Sequence, residues 1–140
     1  MRRSELMIGN CVKVRGKYYS VVGLSDNVML EDVNSLQKVV FPYTELSPVK
    51  LDTMMFKKLR FEAVTELDGE LLYFRYSFDR LSLEVEEMKD LDSNDAFYAY
   101  FCDKDGHIIA SQTCRYVHEL QNLVNNMHAF MDWSRMFVEK

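Results

Sequence analysis

The fold of the N-terminal third is decided by the stretch Cys11-Val12-Lys13-Val14-Arg15-Gly16-Lys17-Tyr18-Tyr19-Ser20-Val21-Val22. Apolar and basic residues alternate over its first five positions, as expected for a half-buried strand. Gly16-Lys17 then predicts a tight turn into a second run that is rich in β-branched and aromatic residues. The stretch therefore predicts an antiparallel hairpin, in which the adjacent Tyr18 and Tyr19 point to opposite faces.

Two further short strands follow this hairpin. They are predicted at Val28-Met29-Leu30 and at Lys38-Val39-Val40-Phe41, and Pro42 ends the second because proline cannot donate to a strand ladder. Four or five strands at spacings of about ten residues are typical of small β domains. Residues 1–50 therefore predict an SH3-like small β-barrel or a strongly bent meander.

The composition of residues 51–140 predicts a helix, a sheet and a second helix. Asp52 or Thr53 can cap the first helix. Five antiparallel strands follow, with hairpin turns predicted at Asp68-Gly69 and Asp105-Gly106, because Asp-Gly is a strong turn signal. This pattern predicts an α+β portion.

The last helix has the clearest periodicity. From Arg115 to Met131 apolar residues recur every three or four positions, which predicts an amphipathic helix with Thr113 as a candidate N-cap. We expect this helix to lie across the sheet of residues 51–140. The fold class predicted for the whole chain is α+β, with residues 1–50 and 51–140 packed together as one compact unit, since a core of only 50 residues is marginal on its own.

Composition and charge exclude several classes of function. Apolar residues make up 48% of the chain and charged residues 28%, as in ordinary globular proteins. Residues 1–50 hold seven basic and five acidic residues, whereas residues 51–140 hold ten basic and seventeen acidic residues, for a net charge of −5. Such an acidic chain disfavours nucleic acid as a partner. No apolar run reaches the roughly 20 residues that a membrane helix needs.

The N-terminal residues and the cysteines point to a reducing compartment. The apolar stretch after Arg2-Arg3 stops at Ile8, too early for a signal peptide. Three widely spaced cysteines form neither a disulfide framework nor a zinc motif. We therefore expect a cytoplasmic protein that does not bind a membrane.

Motifs that resemble catalytic or metal sites are incomplete. His118-Glu119 begins a zinc-protease pattern, but Asn122 stands where that pattern needs a second histidine. The loop Asp90–Asp95 resembles the start of a calcium loop without its glycine and glutamate, which leaves cation binding there open. Glu84, Glu86 and Glu87 are interpreted as the solvated face of a strand. The sequence therefore predicts no catalytic residue, no metal site and no cofactor.

Two groups of residues are candidate binding surfaces. Basic and aromatic residues of the N-terminal portion are suited to gripping a single nucleic-acid strand by charge and stacking, namely Arg15, Lys17, Tyr18 and Lys38. Large or polar residues near the C-terminus are candidates for a protein-interaction surface, namely His118, Asn122, Trp133 and Phe137. The same residues can also serve as core and solvated rim.

Three segments resemble a widespread family of small uncharacterised proteins from gut Bacteroidetes that is often carried on prophages and mobile elements. They are Ser4–Val12, Leu46–Leu51 and Arg115–Leu123, of which Tyr116–Leu123 is the most specific. Most of the chain is covered, although the family has tryptophan or tyrosine at the position of Cys11 and a proline where this chain has Lys50. The resemblance implies a bacterial cytoplasmic protein and no known activity.

The leading hypothesis from the sequence is a non-enzymatic protein that binds another protein. Its grounds are the incomplete catalytic motifs, the acidic composition and the aromatic C-terminal segment. The alternative is nucleic-acid binding through the N-terminal β portion. An oligomer is left open.

Overall fold

The computed structural model describes residues 1–88 and 96–137, in two compact units. The first unit comprises Met1–Lys50 and Tyr116–Asn122, and the second comprises Leu51–Arg115 and the residues from Leu123 onward. Each unit is built on an antiparallel five-stranded sheet, and the described residues form two α-helices. The chain is therefore an α+β protein, as the sequence predicts, with strand as its main element.

The sheet of the first unit is open. Its strands are β1 (Cys11–Val14), β2 (Lys17–Leu24), β3 (Val28–Asp32), β4 (Lys38–Phe41) and β5 (Ser47–Pro48). They lie in the order β4-β3-β2-β1-β5, so that β4 and β5 are its edges. Within the described residues there is thus no closed barrel. Strands β1 to β4 follow one another as a meander, and β5 returns to pair with β1.

The first hairpin turns one residue earlier than the sequence predicts. Val14 pairs with Lys17, so the turn is Arg15-Gly16. Both turn residues have positive φ, 50° for Arg15 and 82° for Gly16, which is the backbone geometry of a type I′ turn. That turn matches the twist of the paired strands, and it places Lys17 in the ladder.

The core of the first unit lies on one face of this sheet. Tyr19 is 7% exposed in that core, whereas Tyr18 is 37% exposed, which confirms that the two rings point to opposite faces. The buried apolar side chains of this core are Leu6, Val12, Val14, Tyr19, Val21, Val28, Leu30 and Leu46.

The second unit begins with helix α1 (Thr53–Lys58), which Asp52 caps by accepting a 2.9 Å hydrogen bond from the amide of Met55. Five antiparallel strands follow and confirm the prediction: β6 (Glu62–Thr65), β7 (Leu71–Ser77), β8 (Ser82–Glu87), β9 (Phe97–Cys102) and β10 (Ile108–Cys114). They are ordered β10-β9-β8-β7-β6, as consecutive hairpins.

One face of this second sheet packs against Phe56 of α1. The Phe56 ring lies 5.2 Å from Phe61, 5.2 Å from Phe74 and 5.1 Å from Phe97, measured between ring centroids. Aromatic rings in such contact bury much apolar surface and add specific ring–ring attraction. This face is the core of the second unit, and it leaves the other face of the sheet for different side chains.

Helix α2 (Val117–Asn126) is shorter than its apolar periodicity predicts. Thr113 is not its N-cap, because β10 continues to Cys114 and Thr113 pairs with Tyr98. Instead, Glu119 accepts a hydrogen bond from the amide of Tyr116. The helix stops at Asn126, ahead of His128, whose φ is 55°.

The first six residues of α2 belong to the first unit, whereas the sequence predicts that the helix lies across the sheet of residues 51–140. The difference arises because polar side chains of this helix, Gln121 and Asn122, hydrogen-bond to residues 5–11. Apolar periodicity carries no information about such polar partners.

Among the described residues, no helix is long and apolar enough to cross a membrane. The predicted loop Asp90–Asp95 lies outside the described residues, so the question of cation binding there stays open.

Candidate functional site

The face of the second sheet opposite Phe56 carries a network of tyrosines and charged residues. Cross-strand partners point to the same side of a sheet. One row of partners runs across all five strands through Glu62, Arg75, Glu84, Tyr100 and Ser111. We call the central part of this surface the polar face; its residues are Tyr73, Arg75, Glu84, Glu86, Tyr98 and Tyr100.

Arg75 is held at the centre of the polar face. Its Nε lies 3.4 Å from Glu84 Oε1, and its guanidinium carbon lies 5.3 Å from the centroid of the Tyr73 ring. A guanidinium nitrogen also donates to the Tyr73 hydroxyl. The protein therefore binds one of its own guanidinium groups by combining a carboxylate with an aromatic ring, an arrangement in which both contacts favour a cation.

Glu84 is mostly shielded from solvent and also contacts a cysteine. Its side chain is 15% exposed, and Oε2 accepts a 3.5 Å hydrogen bond from Cys102 Sγ. Burial and the negative charge of Glu84 both raise the pKa of the Cys102 thiol. The thiol therefore stays protonated and serves as a donor in this network, which is the opposite of what a nucleophilic cysteine requires.

Glu86 and two tyrosines form the neighbouring part of the polar face. The Tyr100 hydroxyl donates to Glu86 Oε1 at 3.0 Å, and the Tyr98 and Tyr100 ring centroids are 5.3 Å apart. Burial, followed by the hydrogen bond to Glu86 and the charge of Glu84, raises the pKa of Tyr100, which stays a neutral donor. Among the residues that the structure describes, Glu86 has no ion pair. It therefore presents a carboxylate beside two rings.

An acidic groove lies beside β7 and β8. Its volume is about 340 Å³. The residues that line it are Glu66, Glu70, Leu71, Leu72, Tyr73, Phe74, Val85 and Glu87. Phe74, Val85 and Glu87 alternate with the polar-face residues along their strands, so this part of the groove lies on the side of the sheet opposite the polar face. All the charged side chains of the lining are glutamates, so the groove is negatively charged.

The four basic and aromatic residues predicted in the N-terminal portion do not form one patch. Tyr18 and Lys38 share a face of the first sheet, but β3 lies between their strands and places Glu31 opposite Lys38. Lys17 pairs with Val14 and belongs to the other side of β2. The exposed Arg15 side chain lies in the turn, where its Nε is 3.9 Å from Glu45 Oε2.

Of the four residues predicted near the C-terminus, one is buried and three are half-buried. His118 is 6% exposed and stacks on Tyr116 with 5.9 Å between ring centroids. Trp133 and Phe137 are half-buried in a single 3-10 turn, Trp133–Phe137, which contacts α1. The half-buried Asn122 side chain is used by hydrogen bonds within the chain.

Asn122 belongs to a group of three side-chain amides, which we call the amide clasp: Asn10, Gln121 and Asn122. Asn10 Nδ2 donates to Asn122 Oδ1 at 2.8 Å, and Asn122 Nδ2 donates to the Glu5 carbonyl at 3.1 Å. Gln121 accepts from the amide of Cys11 at 2.7 Å and donates to the carbonyl of Gly9 at 3.2 Å. The clasp fixes residues 5–11 on helix α2.

The clasp gives a structural role to part of Tyr116–Leu123, the most specific segment of the family resemblance. The Asn122 amide, at the position where the zinc pattern needs a second histidine, is used on both sides by hydrogen bonds within the chain. Burial lowers the pKa of His118, against the opposing charges of Glu119 and Glu5. The imidazole is therefore neutral near neutral pH.

Two exposed hairpin turns each bring together side chains that could bind a cation. In both turns an aspartate carboxylate accepts hydrogen bonds from backbone amides of the turn. Asp103 Oδ1 accepts from the amides of Asp105 and His107, both at 2.9 Å. Asp68 Oδ1 accepts from the amide of Glu70 at 2.9 Å in the same way. These bonds are the ordinary turn chemistry of aspartate, as predicted for both Asp-Gly turns.

The sequence predicts a solvated strand face for Glu84 and Glu86 and does not single out the tyrosines. The signal was present as spacing by two in three separate strands: Tyr73 and Arg75, Glu84 and Glu86, and Tyr98 and Tyr100. Comparison of the chain with protein-family models, with curated proteins and with solved structures gives no match.

Proposed function

We propose that this chain is a non-enzymatic binding protein that acts by binding another protein through the polar face. The observation that carries the proposal is the difference between the side chains on the two faces of the second sheet. One face is filled by the rings around Phe56, whereas the other presents the half-buried ring of Tyr98 beside the carboxylate of Glu86, which has no ion pair among the described residues. Tyrosine is among the residues that protein interfaces favour.

The polar contacts also support binding rather than catalysis. Glu84 bonds to Arg75 and Cys102, and Glu86 bonds to Tyr100, so both carboxylates have fixed partners. The thiol of Cys102 has a raised pKa, which disfavours its use as a nucleophile. Rigid side chains in a fixed network lose little entropy when a partner binds, which favours recognition.

The proposal is tested by capture from a lysate of a gut Bacteroidetes bacterium, the host that the family resemblance implies. The tagged chain is compared with the double variant Glu86→Gln/Tyr98→Ser, with and without nuclease. We expect one protein to be retained through nuclease treatment and to be lost with the double variant. Retention that is the same for both chains would contradict a role for the polar face.

A second candidate function is nucleic-acid binding through the first sheet. The observation in its favour is that Lys13 pairs with Tyr18 across β1 and β2, so a cation and an exposed ring are neighbours on one face. It predicts retardation of a single-stranded oligonucleotide that weakens with salt and is lost in Arg15→Ala/Tyr18→Ala. The same variant is the control for the capture experiment, where we expect no change. Absence of retardation at low salt would remove this candidate.

Three finer expectations from the sequence belong to the same proposal. We infer an SH3-like relationship for the strands of residues 1–50 from their number and spacing. The family resemblance supports a cytoplasmic location and an origin in a prophage or other mobile element. Genes for phage functions beside the coding sequence would support that origin, and a neighbourhood of housekeeping genes would argue against it.

A further inference from the structure

We propose that the polar face recognises an arginine side chain of its protein partner, with the guanidinium seated on Glu86 against the half-buried ring of Tyr98. This inference rests on the proposed function and names the chemistry of the partner. Three observations carry it: a guanidinium already bound on the same face, a second half-built copy of that arrangement, and the charge of the surroundings.

The first observation is internal. Arg75 shows how this face holds a guanidinium, with a carboxylate oxygen 3.4 Å from Nε and a tyrosine ring 5.3 Å from the guanidinium carbon. Arginine suits such a site better than lysine, because its flat group stacks on a ring and offers several donors to a carboxylate. The contacts needed to bind an external guanidinium are therefore already present around Glu84, two residues before Glu86 on β8.

The second observation is the repeat of that arrangement without its cation. Glu86 lies two residues after Glu84 on β8, so both side chains point to the same side. Tyr98 pairs with Glu86 across β8 and β9, and Tyr100 donates to Glu86 Oε1. Within the described residues, no arginine or lysine forms an ion pair with Glu86. The carboxylate and the Tyr98 ring are therefore in place for a guanidinium.

The third observation is the charge around the site. The polar face and its row partner Glu62 bring together three glutamates and one arginine, which is Arg75. These glutamates are Glu62, Glu84 and Glu86. Such an excess of one sign attracts a basic segment and repels nucleic acid and acidic peptides. A basic partner segment would place one arginine on Glu86.

The test measures binding of the full chain to a dye-labelled glycine–serine peptide that carries arginines, by fluorescence anisotropy. Matched peptides carry lysine or the uncharged citrulline at the same positions. We expect the arginine peptide to bind most tightly, the lysine peptide more weakly and the citrulline peptide not at all. Affinity should fall about tenfold with Glu86→Gln and by a smaller factor with Tyr98→Leu, since a charge-assisted bond and a cation–π contact are lost separately.

The matched control is Asp79→Asn, which removes one exposed carboxylate of the same unit away from the polar face. We expect this variant to bind as the parent does. Equal affinity for arginine and lysine peptides, or equal losses in Glu86→Gln and Asp79→Asn, would overturn the inference in favour of unspecific charge attraction.

The two proposals fail in different ways. Loss of the captured protein with Glu86→Gln/Tyr98→Ser, combined with no binding of the arginine peptide, would overturn the arginine seat and keep the interaction surface. If peptide binding depends on Glu86 but the double variant captures the protein as well as the parent does, the arginine site is supported. The polar face is then contradicted as the binding site of that captured protein.

Discussion

The amide clasp and the polar face are both polar networks, but they differ in what they leave unused. In the clasp, the oxygen and the nitrogen of all three side-chain amides have partners within the chain. In the polar face, Glu86 accepts from Tyr100 at one oxygen and has no cation among the described residues. A network that is satisfied internally contributes to stability, whereas one with an unused charge is available for recognition.

From this comparison we expect substitutions in the amide clasp mainly to lower the free energy of unfolding. Gln121→Ala leaves the amide of Cys11 and the carbonyl of Gly9 without their side-chain partner in a buried place. Because each orphaned buried group costs about 1–3 kcal/mol, we expect the free energy of unfolding to fall by about 3 kcal/mol. Denaturant unfolding measures the loss, with the exposed Gln37→Ala as control. A loss as small as that of the control would mean that the clasp does not hold residues 5–11.

The internal part of the polar face should show an intermediate effect on stability. Arg75→Gln leaves Glu84, whose side chain is 15% exposed, without its counter-ion. We expect a loss of about 2 kcal/mol, because the mostly buried carboxylate loses a charge-assisted bond. The same unfolding experiment on Arg80→Gln, which removes an exposed charge from the turn before β8, should give little change. Equal effects of the two substitutions would contradict a structural role for Arg75.

His118 lies one helical turn before Asn122 and is expected to make the free energy of unfolding depend on pH. Since burial lowers its pKa in the folded chain, the unfolded chain binds the proton more readily. Stability is therefore present above the ordinary histidine pKa near 6.5 and is lost as the pH falls through the lower folded value. We expect the free energy of unfolding to decrease by up to about 1.4 kcal/mol per pH unit in that window.

The variant His118→Phe keeps a ring of similar size beside Tyr116 and removes the titration. Its unfolding free energy should therefore lack the decrease attributed to His118 between pH 7 and 5, while His107→Phe at an exposed turn keeps it. An unchanged pH profile in His118→Phe would show that another group is responsible.

The smallest effect on stability is expected at the proposed arginine seat. Glu86→Gln keeps the hydrogen bond from Tyr100 with an uncharged acceptor, so the free energy of unfolding should change by no more than about 0.5 kcal/mol. Thermal unfolding of the parent and the variant measures this. A loss as large as that in Arg75→Gln would place Glu86 among the structural residues and remove the contrast with the clasp.

The strands were predictable where alternation was clear, and the side chains of the site were not. Ser82–Glu87 alternates because one face is buried, and the sequence shows it directly. In Phe97–Cys102 the outward residues are Tyr98 and Tyr100, whose rings are nearly as apolar as the inward ones, so the alternation is hidden. The register that brings Arg75, Glu84 and Tyr100 into one row depends on turns whose lengths the sequence only suggests.

The end of the chain shows a second limit of prediction from sequence. The apolar spacing of residues 115–131 describes a longer helix than α2, because the buried Met131 continues the apolar pattern beyond the end of the helix. Gln121 is 1% exposed although its polarity predicts a surface position. Its two hydrogen bonds to Gly9 and Cys11 connect residues more than 100 positions apart, which no local pattern contains.

The central claim, that the polar face binds a basic protein segment, is tested most directly by NMR. The isotope-labelled full chain is titrated with the unlabelled arginine peptide, and backbone amide and tyrosine ring signals are followed. We expect shifts concentrated at Glu86, Tyr98 and Tyr100 and extending to Tyr73, while Tyr18 and Lys38 stay unchanged. Shifts concentrated at Tyr18 and Lys38, or no shifts at concentrations where a control peptide is also silent, would contradict it.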